Sequence, residues 1–415
     1  MAKKATDEQI EELLGRGVAE VIGREHLVND LKKGNVLRFK LGMDPTSPDL
    51  HLGHAVILRK LRKFQDMGHE AVVIIGDYTA RIGDPSGRSK TRPPLEPEAI
   101  DENAKTYFAQ VAKILNVKKI KLEKNSKWLS KLTFADLIKL AVNFTVARTL
   151  ERDDFANRYK EGMDIHLHEL LYPMMQAFDS VAINASVELG GTDQKFNMLA
   201  GRELQKKLGQ TEQEVITFPL LVGLDGTHKM SKSLGNYIGI TESAESMYGK
   251  VMSIPDSLIL NWFELATEMP ENEIKKVKEL LSGGDNPRDI KMLLAREITS
   301  LYHSDKEVND AEDEFVSVVQ NKNLPKNIEE LVYESPTKDK EHSMPLRNWV
   351  KWVFDQSEEK HSMTQCRQLI EEGAVLIDGK KMEEPDEIVT ITQKDVLFQK
   401  KRFCRRIVVR PHDFN

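Results

Sequence analysis

The sequence predicts an α/β protein in three parts. A doubly wound parallel sheet with helices on both faces occupies residues 1–239, an α-helical domain 240–330, and, after a linker at 331–343, a small α+β domain 344–415. Three observations predict this order. Strand-like runs at 36–43, 71–75 and 187–189 alternate with helical stretches up to about residue 239, and parallel strands need such crossovers. From Thr241 to about Leu324 strand signals stop, and Met247, Val251, Leu258, Leu260, Trp262 and Phe263 supply apolar helix positions. Pro325, Pro336 and the charged run 338–342 then mark a linker, beyond which 344–355 and 362–372 read as helices, followed by the run Gly373-Ala374-Val375-Leu376-Ile377-Asp378-Gly379 and two strand-like runs.

Composition limits the class. At 415 residues the chain can hold several domains and a large core. It is 40% hydrophobic and 30% charged with a mean hydropathy of −0.45. No apolar run approaches the about 18 residues a membrane span needs, and the N-terminus is polar, so a soluble, cytoplasmic protein is expected. Cys366 and Cys404 lie far apart in sequence and near no histidine or cysteine at metal-ligand spacing, so no disulfide framework and no zinc site are expected. The net charge of −6 argues against a general nucleic-acid coat. Yet the run 400–410 holds Lys400, Lys401, Arg402, Arg405, Arg406 and Arg410 and no acid; its ordinary reading is a solvated basic tail, but local charge decides contact with RNA.

Two short motifs carry the chemistry. His51-Leu52-Gly53-His54 follows the strand-like run 36–43 and opens a stretch where Val56, Ile57, Leu58, Leu61, Phe64 and Met67 recur at helical spacing. The two histidines thus stand at the positive end of a helix, where phosphate is favoured, and Gly53 removes a side chain so that a flat ligand can approach the backbone. Lys229-Met230-Ser231-Lys232-Ser233 lies between Gly226 and Gly235 and reads as a mobile loop whose lysines suit the charge of a leaving pyrophosphate. Singly, a histidine pair is more often structural and a lysine-serine run a solvated loop. Together and in this order they point to ATP.

Four further stretches accompany them. Gly42-Met43-Asp44-Pro45-Thr46 precedes the histidine motif, with Pro45 and Pro48 forcing an extended entry. Gly76-Asp77-Tyr78-Thr79 and then Ile82-Gly83-Asp84-Pro85-Ser86-Gly87-Arg88 follow the run 71–75. Tyr172, Gln176 and Asp179 fall at i, i+4 and i+7 on one helical face, where a plain amphipathic helix would carry leucine. Gly190-Gly191-Thr192-Asp193-Gln194 leaves 187–189 for a helix, with Asp193 able to accept from ribose hydroxyls.

On these residues the chain resembles the class I aminoacyl-tRNA synthetases, and within them the bacterial tyrosyl-tRNA synthetases, over essentially its whole length. The resemblance implies a Rossmann-like catalytic domain, an anticodon-side helical domain, and an S4-type RNA-binding domain with its arginine at Arg367. It implies L-tyrosine, Mg-ATP and tRNA(Tyr) as substrates, a homodimer, and no protein-bound metal. It assigns Asp44, Thr79 and Asp84 to the substrate ammonium, Tyr172 and Gln176 to its amino group and ring, Asp179 to its phenol, and Gln194 to its carboxylate. His51, Gly53, His54, Thr46, Gly191, Asp193, Lys229, Met230, Lys232 and Ser233 go to ATP and the chemistry, with Arg88 and Arg92 near the pyrophosphate. RNA contact falls to Arg367, Lys400, Lys401, Arg402, Arg405 and Arg406. Many family members carry a tyrosine where this chain has Lys40, a residue that either donates a second hydrogen bond to the phenol or faces solvent. The alternatives are a tryptophanyl-type enzyme, disfavoured by the Tyr172, Gln176 and Asp179 face, and a non-catalytic RNA-binding protein on a synthetase fold, disfavoured by the intact histidine and lysine motifs.

Overall fold

The computed structural model describes residues 1–86, 96–320, 328–336, 341–357, 360–392, 396–400 and 403–411. Residues 1–308 form one compact unit and 309–415 another.

The first unit is built on strands β1 (Glu20–Ile22), β2 (Arg38–Met43), β3 (Glu70–Ile75), β4 (Ile120–Lys124), β5 (Val187–Gly191) and β6 (Glu214–Phe218), in the order β1-β6-β5-β2-β3-β4. β2 through β6 pair in parallel, while β1 adds an antiparallel edge beside β6. The expected doubly wound parallel sheet is therefore present. β3 carries Ala71-Val72-Val73-Ile74-Ile75, all buried, as a strand covered on both faces must. The helix Leu52–Asp66 turns Leu52, Ala55, Leu58, Leu61 and Phe64 onto the sheet, and Phe64 stacks on Phe39 of β2 at 4.1 Å between centroids.

From β2 the chain winds outward to β3 and β4, then returns on the other side as β5 and β6. The seam between β2 and β5 is thus the point where strand order reverses, the usual place for a ligand crevice. Among the described residues these strands pair through Phe39 with Val187 and Lys40 with Glu188. Beyond that register their carboxyl ends carry Gly42, Met43, Gly190 and Gly191, and a cavity opens there.

The helix-rich region follows as Ala244–Met252, Ile259–Ala266, Glu271–Gly283, Pro287–Ser300 and Asp305–Phe315, with Trp262 and Phe263 fully buried. Ile259–Ala266 packs on the helix Leu52–Asp66, and Arg59 ties them by donating to the Leu265 carbonyl at 2.9 Å.

In the second unit β7 (Glu329–Ser335), β9 (Val375–Ile377), β10 (Lys380–Met382), β12 (Val396–Lys400) and β13 (Phe403–Pro411) form a sheet ordered β10-β9-β12-β13-β7, and β8 (Glu341–Pro345) pairs with β11 (Ile388–Thr392). Helices Leu346–Asp355 and Met363–Glu371 lie where the sequence placed them. Two expectations need correcting. The stretch expected as a linker is partly β7 and β8, and the described part of the run read as a tail is strand: Lys400 ends β12, and 403–410 lie in β13, which pairs with β12 and β7. Alternating Ile407 and Val409 face the core, so cations and apolar residues share one strand.

Among the described residues no helix is long and apolar enough to cross a membrane. The second unit's core centres on Phe354, which is fully buried and stacks on Phe403 at 5.1 Å. Phe354→Ala is expected to cost about 3–5 kcal/mol. Hydrogen-exchange mass spectrometry should show protection lost across 346–411 with β3 unchanged; unaltered protection in the second unit would contradict this packing.

Candidate active site

The cavity at the carboxyl ends of β2, β5 and β6 has a volume of about 590 Å³. It is lined by Asp44, Thr46, His51, Gly53, His54, Thr79, Asp84, Tyr172, Gln176, Asp179, Gly191, Asp193, Gln194, Lys229, Met230, Lys232 and Ser233. These are all the reaction residues nominated from sequence except Arg88 and Arg92, which lie outside the described residues.

One part of the lining is a carboxylate network. Asp44, just past β2, accepts from Thr79 Oγ1 at 2.8 Å and from Tyr172 OH at 3.0 Å. A Cβ at Gly76 would lie 1.9 Å from Asp44 Oδ1, so only glycine lets the end of β3 come this close. Burial, with Asp44 and Asp84 nearby, pushes the Tyr172 phenol well above its usual range, keeping it a donor. Asp84 accepts from Gln194 Nε2 at 2.6 Å and from the Ser86 backbone at 2.9 Å. Asn197 Nδ2 then bridges Gln194 Oε1 at 3.1 Å and Gln176 Oε1 at 3.0 Å.

Asp179 is buried on the same helix, Tyr172–Ile183, whose spacing brings its three nominated side chains to one cavity. Its carboxylate accepts from Trp128 Nε1 at 2.7 Å and from Asn125 Nδ2 at 3.2 Å. Burial raises its pKa to about 6 despite Lys40 and these donors.

Of the two expectations for Lys40, the solvent-facing side chain is corrected. Lys40 is 0% exposed and paired with Glu188 at 2.8 Å, because a charge in a buried strand needs an opposite charge beside it.

The other part of the lining is basic. His51 is the cap of the helix Leu52–Asp66 rather than a member of its first turn, and its Nδ1 accepts from the Gly53 backbone at 3.2 Å. His54 Nδ1 accepts from the His51 backbone at 3.2 Å, and the rings lie 3.9 Å apart. Burial holds His51 well below its usual range, helped by His54, Lys232 and Lys229; burial and then Lys232 bring His54 to about 4. Both rings are therefore neutral at pH 7, and because each Nδ1 accepts from a backbone N–H, each proton sits on Nε2.

Lys232 Nζ donates to Ser47 Oγ at 2.7 Å, with burial lowering it to about 8, so it remains largely charged at neutral pH. Lys229 pairs with Asp193 at 2.7 Å. The segment carrying the lysines is tied to its surroundings: Met230 donates to the Leu221 carbonyl at 2.7 Å, and Asn236 Nδ2 reaches the Lys229 carbonyl at 3.2 Å and Asp225 at 3.0 Å. Hydrogen bonds from the Thr227 and His228 backbones and from the His228 and Asn236 side chains keep Asp225 at about 2.

Sequence reading missed Asn125, Trp128, Asn197, Ser47 and Asn236. Asn125 and Trp128 sit in no motif and are brought in by chain crossing, whereas Ser47, Asn197 and Asn236 lie within three residues of nominated positions. Glu188 had a signal, being a lone acid in the apolar run leading to Gly190.

A family model described as tRNA synthetases class I (W and Y) matches residues 32–320, and one described as S4 domain matches 355–396. Curated relatives include the tyrosine-tRNA ligase of Carboxydothermus hydrogenoformans, 49% identical over 403 residues covering 95% of this chain and 97% of that protein. The tyrosine-tRNA ligase of Thermotoga maritima is 48% identical over 380 residues, covering 91% and 92%. Among solved structures, the Archaeoglobus fulgidus tyrosyl-tRNA synthetase complexed with L-tyrosine has a TM-score of 0.61 at 25% identity, covering 74% of this chain and 99% of that one. The Plasmodium falciparum tryptophanyl-tRNA synthetase shares the fold, with a TM-score of 0.57 at 15% identity over 75% and 90%.

The buried imidazoles make stability acid-sensitive. A histidine whose folded pKa lies below 6.5 leaves stability intact above 6.5 and withdraws it as pH falls toward 4, which applies to His51, His54 and the buried His69. Asp179, raised to about 6, opposes this as one group against three. Urea unfolding at stepped pH should therefore show stability falling from about pH 6.5 downward; a flat profile to about pH 5 would mean these rings are not buried neutral.

Proposed function

We infer the reaction from one premise: the chain belongs to the class I tRNA synthetases of the tryptophan and tyrosine type. Its activity is that of an ATP-dependent ligase joining tyrosine to tRNA. The tyrosine carboxylate attacks the α-phosphate of Mg-ATP, pyrophosphate leaves, and the tyrosyl group passes from the adenylate to the terminal ribose of tRNA(Tyr). The observation that carries tyrosine over tryptophan is near-half identity to tyrosine-tRNA ligases along 95% of the chain.

No side chain need form a covalent bond, so catalysis rests on position and charge. Asp44, Asp84, Thr79, Tyr172 and Gln176 receive the ammonium, with Gln194 beside the carboxylate. Asp179 accepts the phenol O–H. His51 and His54 present Nε2–H donors, and with the positive end of their helix they take phosphate oxygens without adding net charge. Lys229, Lys232 and Ser233, with Thr46 and Met230, attend the leaving pyrophosphate, whose charge grows in the transition state. Gly53, Gly191 and Asp193 accommodate the adenosine. Arg88 and Arg92 remain assigned to the pyrophosphate by resemblance alone.

The second unit serves tRNA, since the S4 match falls within it. Arg367 stands 3.3 Å from Asp386, while Arg405 and Arg406 pair with Glu329 at 3.0 Å and Glu330 at 3.8 Å. Phosphates must compete with these carboxylates, which tempers affinity. Lys400 lies over the Phe354 ring, and Lys401 and Arg402 fall outside the described residues. A cytosolic setting fits two buried free thiols.

A homodimer fits the surface of the first unit. Phe134, Ile138 and Val142 recur along the outer face of one helix and its end with 79%, 52% and 80% exposure, and Val146, Tyr159 and Leu167 are also exposed. So much bare apolar surface marks an interface.

Exchange of labelled pyrophosphate into ATP should depend on tyrosine and not on tryptophan or phenylalanine, and absence of exchange with every amino acid would favour the non-catalytic reading. Asp179→Asn is expected to lower kcat/KM for tyrosine by about tenfold or more, as an unpaired buried polar group costs about 1–3 kcal/mol. In the parent protein that parameter should fall as pH drops below about 6, where Asp179 takes up a proton.

Equilibrium sedimentation at micromolar concentration should give about twice the 47.3 kDa chain mass. A mass near one chain would refute the dimer.

A further inference from the structure

Lys40 and Glu188 face each other across β2 and β5 at the base of the crevice, 0% and 1% exposed. An ammonium has three N–H groups, and Lys40 spends them on Glu188 at 2.8 Å, the Gln176 carbonyl at 2.9 Å and Ser180 Oγ at 2.8 Å. Glu188 in turn accepts from Gln176 Nε2 at 3.2 Å, from Ser180 Oγ at 3.1 Å and from Gln213 Nε2. Both charges therefore grip the helix Tyr172–Ile183 at Gln176 and Ser180, three residues before and one residue after Asp179.

We propose that the Lys40–Glu188 pair is the positioning element of the amino-acid pocket, holding that helix so that Asp179 meets the ligand's phenol, and that Lys40 itself makes no contact with the ligand. This rests on the reading of Asp179 given above. A buried ion pair rarely adds stability over apolar residues of the same size, so its presence at this seam fits a role in specificity better than one in folding. It also sets charge. Asp179 faces Lys40 from β2, Glu188 from β5 and Tyr172 on its own helix, with the neutral donors Trp128 and Asn125 beyond β4. Lys40 is the cation that holds the carboxylate down against burial.

The test measures tyrosine-dependent pyrophosphate exchange by the full chain between about pH 5 and 9, for the parent, K40M, E188Q, K40M/E188M and D179N. K40M should raise KM for tyrosine about tenfold or more while KM for ATP stays within about twofold, and should relax the preference over phenylalanine. Its acid limb should move up by about one pH unit, and that of E188Q, which leaves Lys40 less neutralised, should move down. A packing defect would not shift the two in opposite directions. K40M/E188M, neutral and apolar, should remain folded and keep the relaxed preference. Unmoved limbs, limbs displaced in the same direction, or loss of the folded protein in all three pair variants would overturn the proposal. If D179N leaves tyrosine activation intact, the phenol assignment itself fails; if D179N abolishes it while K40M behaves as the parent, only the positioning role fails.

Discussion

The site depends on the fork between β2 and β5. Parallel strands in mid-sheet would ordinarily continue side by side, with aliphatic residues on both faces. Here the last paired position carries a lysine and a glutamate, and the residues beyond it are glycines or cavity-lining side chains. The desolvation cost of the two charges is offset only while both stay in register and their remaining hydrogen bonds are made. That condition couples the sheet's alignment to the placement of Gln176 and Ser180, and through them to the whole helix Tyr172–Ile183.

Around that fork the cavity separates two electrostatic tasks. Three of its carboxylates, Asp44, Asp84 and Asp179, are engaged by the neutral donors Thr79, Tyr172, Gln194, Trp128 and Asn125, so their negative charge is held in place by groups that carry no charge of their own. Its imidazoles are stripped of charge by burial and oriented by backbone N–H groups. On the roles assigned above, a dipolar donor that stays neutral would bind phosphate oxygens without trapping the departing product as a third fixed cation would.

Much of this was legible in the sequence, for definable reasons. Strand β3 is a pure apolar run, and the helix Leu52–Asp66 has an apolar stripe at helical period, so periodicity alone located them. The motif residues could be nominated because each occupies a turn where a strand ends, and parallel winding brings those turns together. Strands β1, β4 and β6 escaped notice: the first has three residues, the second, an edge strand, reads Ile-Lys-Leu-Glu-Lys with much of its surface wet, and the third, Glu-Val-Ile-Thr-Phe, breaks its apolar run with a glutamate and a threonine. The basic run 400–410 was misread as a tail because its apolar residues are interspersed with cations, and Arg405 and Arg406 meet their carboxylates on β7, more than seventy residues earlier in the chain. Asn125 and Trp128 could not be foreseen, since their task is defined by a helix more than forty residues away.

The Lys229–Asp193 pair has a consequence for how a nucleotide is felt by the protein. Each partner is the other's counterion, so a ligand that engages one alone strands the other's charge. On the roles assigned above, the ribose would claim Asp193 and the phosphates Lys229. A ligand offering both ends settles both charges in one exchange, whereas a nucleoside or pyrophosphate by itself must break the pair and leave half of it uncompensated. On those roles the two ends of ATP would be interdependent, and the intact triphosphate would be told apart from its fragments by linkage rather than by any additional contact.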